Sequence, residues 1–149
     1  MKIELTKKQK FNNRKEIIAL LGGDEQKGIA PSKKIKAILL FKNEDEIYKD
    51  YFYQKDNQNF YMHTGIGRWG HQDSVTNNMY MRNIAVLNHK SDKKALLVFE
   101  KQETSYLFAG EYKLIETHQN VQPDADGIVR RVFVFHLEQV SDVYSCKFN

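Results

Sequence analysis

From Ala95 onward the chain reads as one strand after another, and that run constrains the fold more than any other feature. Ala95–Phe99, Tyr106–Ala109, Glu111–Glu116 and Val129–Leu137 are apolar or alternating runs too short for helices. In the last, Phe133, Phe135 and Leu137 alternate with Val132, Val134 and His136, so one face packs on a core. Asp126-Gly127 ahead of it is a turn signal. Helical patterns fall earlier. Thr6–Leu21 carries an apolar stripe (Phe11, Ile17, Ile18, Leu21), capping-box spacing at Thr6 and Gln9, and a stop at Gly22-Gly23. Ser74–His89 sets Met79, Arg82, Asn83, Val86 and Leu87 at three-to-four spacing behind a Ser74 cap. Between them Lys36–Phe41 reads as a central strand, Tyr48–Gln58 as loop with strand character and Asn59–His63 as a strand. Helices early and strands late, without strand–helix alternation, predict an α+β domain on a curved, mainly antiparallel sheet.

A chain of 149 residues suits one domain. It is expected over 1–140, with 141–149 as a tail that forms an edge strand, a frayed end or a stub. The net charge of +4 favours an anionic partner. The single cysteine, Cys146, excludes an internal disulfide, and five scattered histidines offer no metal-ligand spacing, so neither metal nor cofactor is expected. The acidic run Glu44-Asp45-Glu46 reads as solvated loop charge. The N-terminus lacks an apolar signal segment and no stretch has the length of a membrane span, which predicts a cytoplasmic protein with no membrane partner.

Function concentrates at Phe60–Gln72, FYMHTGIGRWGHQ, an aromatic strand running into a loop with three glycines, Arg68 and the only tryptophan, Trp69. Gly65, Gly67 and Gly70 within six residues imply backbone in positive φ or pressed against a ligand. Tyrosines upstream (Tyr48, Tyr51, Tyr53) beside a tight polar loop suit a flat nucleobase. Lys33, Lys34, Lys36, Arg68, Lys90, Lys93, Lys94, Arg130 and Arg131 would form a track for a nucleic-acid backbone if they converge beside that loop. His63 and His71 flank the loop and form a candidate acid–base pair for a small hydrolase, while His136 reads as structural. No GxSxG elbow or paired cysteine base supports covalent catalysis.

The serial order Gly22-Gly23, Gln26-x-Gly28-Ile29, ILLF, Tyr48-x-Asp50, HTGIGRWGHQ, RNIAVLNH, LLVFE, FAGEYK and VFVFHLEQV resembles the SRA (SET and RING associated, YDG) domain from about Arg14 to Val140. The nearest variety is that of McrA-type modification-dependent HNH restriction endonucleases. The resemblance implies an SRA/PUA-like, barrel-like sheet with flanking helices that flips 5-methylcytosine or 5-hydroxymethylcytosine out of double-stranded DNA. It implies a pocket of Tyr48, Asp50, His63, Thr64, Gly65, Gly67 and Asn83. Tyr48 and His63 would stack on the base, Asp50 would read its Watson–Crick edge, and Thr64 would border the 5-substituent. Gly110 would let a neighbouring strand approach. Lys33, Lys34, Arg68, Trp69, Arg82, Lys93 and Lys94 would meet the DNA backbone.

Three motifs depart from the family. Its GEG reads Gly65-Ile66-Gly67, its Gly-Asp-Gln reads Gly70-His71-Gln72, and its Gly-Asn reads Arg82-Asn83. These changes, with His63 for the usual tyrosine, make the rim more basic. The domain is expected to bind without catalysis, with cleavage supplied by a nuclease partner or a fused HNH domain. The alternative is a PUA-like RNA-binding module.

Overall fold

A strand buried along its whole length organises this protein. In the computed structural model, which describes residues 1–43 and 47–147, Glu44-Asp45-Glu46 lie outside the described residues. The strands, in chain order, are β1 (Lys2–Thr6), β2 (Lys10–Phe11), β3 (Ile29–Pro31), β4 (Ala37–Phe41), β5 (Tyr51–Lys55), β6 (Gln58–Thr64), β7 (Ala95–Gln102), β8 (Ser105–Pro123), β9 (Val129–Ser141) and β10 (Val143–Lys147). The helices are α1 (Arg14–Leu21) and α2 (Tyr80–Leu87). Every residue of β4 is buried, the pattern of a strand covered on both faces.

Successive β4 residues face opposite ways and so feed two cores. Leu39 and Phe41, with Leu97 and Phe99 of β7, pack against Ile17 and Leu21 of α1. Ile38 and Leu40, with Leu96 and Val98, pack with Val86 of α2 and with Phe135 and Leu137 of β9. The main sheet runs β3-β4-β7-β8-β9-β6-β5, with β2 on β8. Only β4 and β7 pair in parallel among the described residues. The result is an α+β domain on a mainly antiparallel sheet that stays open, with β3 and β5 at its edges.

The first helix is shorter than its sequence pattern suggests. It begins at Arg14, because Thr6 ends β1 against β10 and Lys10-Phe11 pair as β2 with β8. The Thr6/Gln9 spacing closes a turn instead, with Gln9 N donating to Thr6 O at 2.9 Å and Thr6 N to Gln9 Oε1 at 3.1 Å. The working cap is Asn13, which accepts from Glu16 N at 3.0 Å while Glu16 reaches back to Asn12 N. The stretch after Ser141, left open by the sequence, pairs as β10 with β1.

The second helix starts at Tyr80, not Ser74. Polar side chains in the intervening stretch compete with the helix for backbone groups. Asn77 Nδ2 donates to Trp69 O and to His71 O, both at 3.2 Å, and Asn77 Oδ1 accepts from Met79 N. Tyr48–Gln58, read as loop with strand character, holds β5, joined to β6 through Asp56 and Asn57 at φ 52° and 62°, a two-residue hairpin turn. Tyr106–Ala109 and Glu111–Glu116 belong to one long strand, β8. It continues through Gly110 and absorbs irregularities in register at Glu111/Tyr112 and Leu114/Glu116.

Candidate functional site

The glycine loop after β6 is held down from several sides. Gln72 Nε2 donates to Gly65 O at 2.6 Å, and Gln72 Oε1 accepts from Phe133 N of β9. Asn83 of α2 clasps Ile66 from both ends, accepting from Ile66 N and donating to Ile66 O, each at 2.9 Å. A Cβ on Gly65 would stand 2.4 Å from Gln72 Oε1 and 3.0 Å from Asn83 Oδ1, so this glycine is required by close approach. Gly67, at φ 125°, is required by conformation. The tip of the β8–β9 arm closes the far side, with Ala125 N donating to Arg68 O at 2.9 Å and Trp69 Nε1 to Asp126 Oδ2 at 3.0 Å.

This loop walls a cleft of about 490 Å³ whose other sides are Gln26–Gly28, Lys42-Asn43, Tyr48 and Tyr106. Arg14, Lys27, Lys42, Arg68 and Lys101 line it against a single acidic group, Glu25, among the described residues, so its field favours an anion. Arg14 lies flat on Phe41, 3.6 Å from the ring centre, and donates to Asp24 O and Lys27 O, fixing the loop that brings Gly28 to the cleft. Burial lowers the Arg14 pKa. Gly28 is needed where it stands: a Cβ there would be 2.6 Å from Asn43 Oδ1. Gly28→Ala is therefore expected to displace the Asn43 side chain from the cleft wall and lower stability by about 1–3 kcal/mol, the usual cost of overpacking. Thermal denaturation against wild type checks this, and an unchanged midpoint would contradict the geometry.

Of the seven pocket residues expected from sequence, Tyr48 and Gly67 line this cleft. The other five, Asp50, His63, Thr64, Gly65 and Asn83, are not among its lining residues. Asp50 is a buried hub: Oδ1 accepts from Thr64 N at 2.8 Å, and Oδ2 accepts from Asn43 N at 2.8 Å, Asn43 Nδ2 at 2.9 Å and Tyr61 Oη at 3.3 Å. His63 Nδ1 lies 3.1 Å from the same oxygen and 2.7 Å from Tyr61 Oη. The His63 ring is fully buried, and among the described residues its Nε2 has no hydrogen-bond partner. Burial, then the neighbouring Asp50 carboxylate, pushes the Tyr61 phenol well above its ordinary pKa, so it stays a donor. Asp50 and His63 are both buried and are not among the residues that line this cleft. Thr64 points to the other face of the sheet, into a separate depression, and its Oγ1 accepts from Lys49 N. The signal that could have found these roles is the i, i+2 spacing of Tyr61 and His63, which puts both on the core face of β6.

The basic residues divide into groups. Arg68 and Trp69 stand at the cleft, with the Arg68 guanidinium 5.6 Å from the Trp69 ring centre and Trp69 exposed. Arg82 ties α2 to the β3 edge, donating to Ile29 O at 2.8 Å and pairing with Asp24 at 3.2 Å. Lys33, Lys34 and Lys94 line another depression with Lys36 and Lys147, one that shares no residue with the cleft. Lys34 Nζ also donates to Ala19 O near the end of α1. Lys93 sits in the turn after α2, with φ 56°. Arg131 pairs with Asp73 at 3.0 Å. His71 accepts from Arg131 N through Nδ1, so it is engaged with β9, and among the described residues no hydrogen bond joins it to His63. Gly110 does bring strands close: a Cβ would stand 2.9 Å from Ser141 O of β9. Sequence reasoning missed Arg14, Asn43, Lys42, Lys101 and Tyr106 as cleft residues, since they come from α1, the segment after β4, β7 and β8, which are far apart in the chain.

An open, mainly antiparallel sheet flanked by two short helices is the fold that solved SRA domains share with this chain. The sequence profile described as "ScoMcrA-like, SRA domain" matches residues 7–147, and this chain belongs to that family. The SRA domain of SUVH5, solved with methylated CHH DNA, superimposes with a TM-score of 0.65 at 21% identity over 91% of this chain and 89% of that one. The sulfur-binding and SRA domains of ScoMcrA, solved with phosphorothioated DNA, give 0.66 at 20% identity over 91% of this chain and 40% of that one. The DNA modification-dependent restriction endonuclease AspBHI gives 0.69 at 14% identity over 95% and 79%. No match was found among curated proteins. Among the described residues no helix is long and apolar enough to cross a membrane.

Proposed function

We propose that this domain binds double-stranded DNA and reads modified cytosine, 5-methylcytosine or 5-hydroxymethylcytosine, by accepting the flipped base in the cleft between the glycine loop and the Gly28–Asn43 wall. The observation that carries this reading is the cleft itself: Tyr48 and clamped loop backbone inside, cations around, and a volume of about 490 Å³, within the usual range for small-molecule sites. Tyr48 supplies an aromatic face, and stacking a base on such a face offsets much of the cost of unstacking it from the duplex. In this reading the Asn43 side chain and the Gly67 backbone, which line the cleft, meet the base edge. Asp50, His63 and Asn83 hold those groups in position from behind. Arg68 and Trp69, at the rim of the cleft, are proposed to meet the DNA backbone beside the flipped nucleotide.

Solved SRA domains in complex with methylated and with phosphorothioated DNA support the reading, as does the presence of this fold in restriction endonucleases. The domain itself is proposed to work in the cytoplasm as a binding module without catalysis, with DNA cleavage supplied by a nuclease partner or a fused HNH domain. A panel of duplexes differing only in the cytosine 5-substituent, with structured RNA as competitor, tests it. The expected result is tighter binding of one modified duplex and brightening of a fluorescent base analogue opposite the modified cytosine. Preference for structured RNA would move the assignment to an RNA-binding module, and equal affinity for all duplexes would remove the modified-base reading.

A further inference from the structure

The bulge in β8 rearranges which side chains meet across the β8–β9 ladder. Leu114 stands opposite Leu137, and an unbroken register would place Ile115 opposite His136 and His118 opposite Phe133. The irregularity at Leu114/Glu116 instead sets Glu116 opposite His136 and His118 opposite Val134. Bulges are a recurrent means of re-aiming a side chain. Here the shift turns Glu116 and His118, two positions apart on one strand, to the face that carries His136 on the next. That face is turned away from the core of Phe135 and Leu137.

One nitrogen of each histidine and one oxygen of Glu116 lie within 4.8 Å of one another. Glu116 and His118 approach to 3.6 Å, and the rings of His118 and His136 are 6.4 Å apart between centres. Ligand atoms bound to one zinc ion at about 2.0–2.2 Å stand about 3.3–3.6 Å apart, so small rotations of two exposed side chains close the set. His136 is already oriented: its Nε2 hydrogen-bonds the Tyr53 hydroxyl, as an outer partner orients a ligating imidazole. Two histidines and a carboxylate are a donor set suited to a borderline divalent cation, with a further position open to water.

We propose that Glu116, His118 and His136 form a zinc-type divalent metal site on the outer face of the β8–β9 arm, separate from the cleft. A bound ion would cross-link the two strands whose tip holds Arg68 and Trp69 through Ala125 and Asp126. It therefore stiffens the arm that supports the cleft rim.

The test is calorimetric titration of Zn²⁺ into tag-free, chelator-treated protein, with visible absorption of a Co²⁺ adduct as a second readout. One equivalent of Zn²⁺ is expected to bind with micromolar or tighter affinity and to raise the melting temperature. His118→Ala and Glu116→Gln, both at exposed positions, should each weaken binding by about tenfold or more, in the range seen when metal-site residues are lost. Cys146→Ser, which removes the single thiol, should leave binding unchanged. No binding below about millimolar Zn²⁺, an affinity unmoved by the His118→Ala change, or loss of binding in Cys146→Ser would each overturn the proposal. Circular dichroism confirms that every variant is folded before it is counted.

Discussion

Asp50→Ala is expected to destabilise the protein by about 3–5 kcal/mol, the cost of removing one partner from a buried charged network. Its carboxylate is the common acceptor for Thr64 N, both nitrogens of Asn43, and Tyr61, and it lies against His63. Alanine leaves those donors buried and unpaired. Chemical denaturation measures the effect, and a loss below about 1 kcal/mol would show that the network reorganises without the carboxylate. Acid adds an independent check. Burial raises the Asp50 pKa, while His63 and then the N–H groups of Asn43 and Thr64 lower it, leaving it below the ordinary value. A group with a depressed folded-state pKa stabilises the fold above its unfolded pKa of about 3.9, and that stabilisation is lost as pH falls through the folded value. Wild type should thus lose part of its stability below about pH 4, and Asp50→Asn should lack that part of the acid dependence.

The same network marks the limit of what the sequence discloses. Strands with strong periodicity were legible: Ala95–Phe99, Val129–Leu137 and the apolar ILLF run all form strands. Their order, and the order of the glycine motifs, was enough to point to the SRA family. The helix starts were not legible, because Thr6 with Gln9 and Ser74 with Asn77 satisfy backbone groups in turns as readily as in helix caps. The site was legible as a neighbourhood but not as a set of surfaces. Tyr48-x-Asp50 and His63-Thr64 do come together, yet the pleat of β6 sends His63 inward and Thr64 to the opposite face. Arg82, expected at the DNA backbone, also donates to Ile29 O and pairs with Asp24, contacts that no spacing in the sequence announces. The His/His/Glu cluster was invisible for another reason. It depends on a register shift of one residue in β8, which no spacing in the sequence encodes.

Tyr48→Ala is expected to reduce affinity for the preferred modified duplex by about 1–3 kcal/mol, or roughly 5- to 150-fold, the usual worth of one base–aromatic stack. The fold should survive, because Tyr48 lies on the cleft surface between the main elements and belongs to neither hydrophobic core. Tyr48→Phe keeps the aromatic face and should retain most of the affinity, which separates stacking from any role of the hydroxyl. Binding to unmodified duplex should change little, since that mode rests on phosphate contacts to cations such as Arg68 and on counterion release. The three measurements together decide the point: affinity of each variant for modified and unmodified duplex, its salt dependence, and the fluorescence of a base analogue opposite the modified cytosine. If Tyr48→Ala weakens both duplexes equally and flattens the salt dependence, Tyr48 acts along the backbone path and the cleft is not where the base goes. If discrimination and brightening vanish together while the salt slope holds, the base enters the cleft and Tyr48 is the surface that keeps it there.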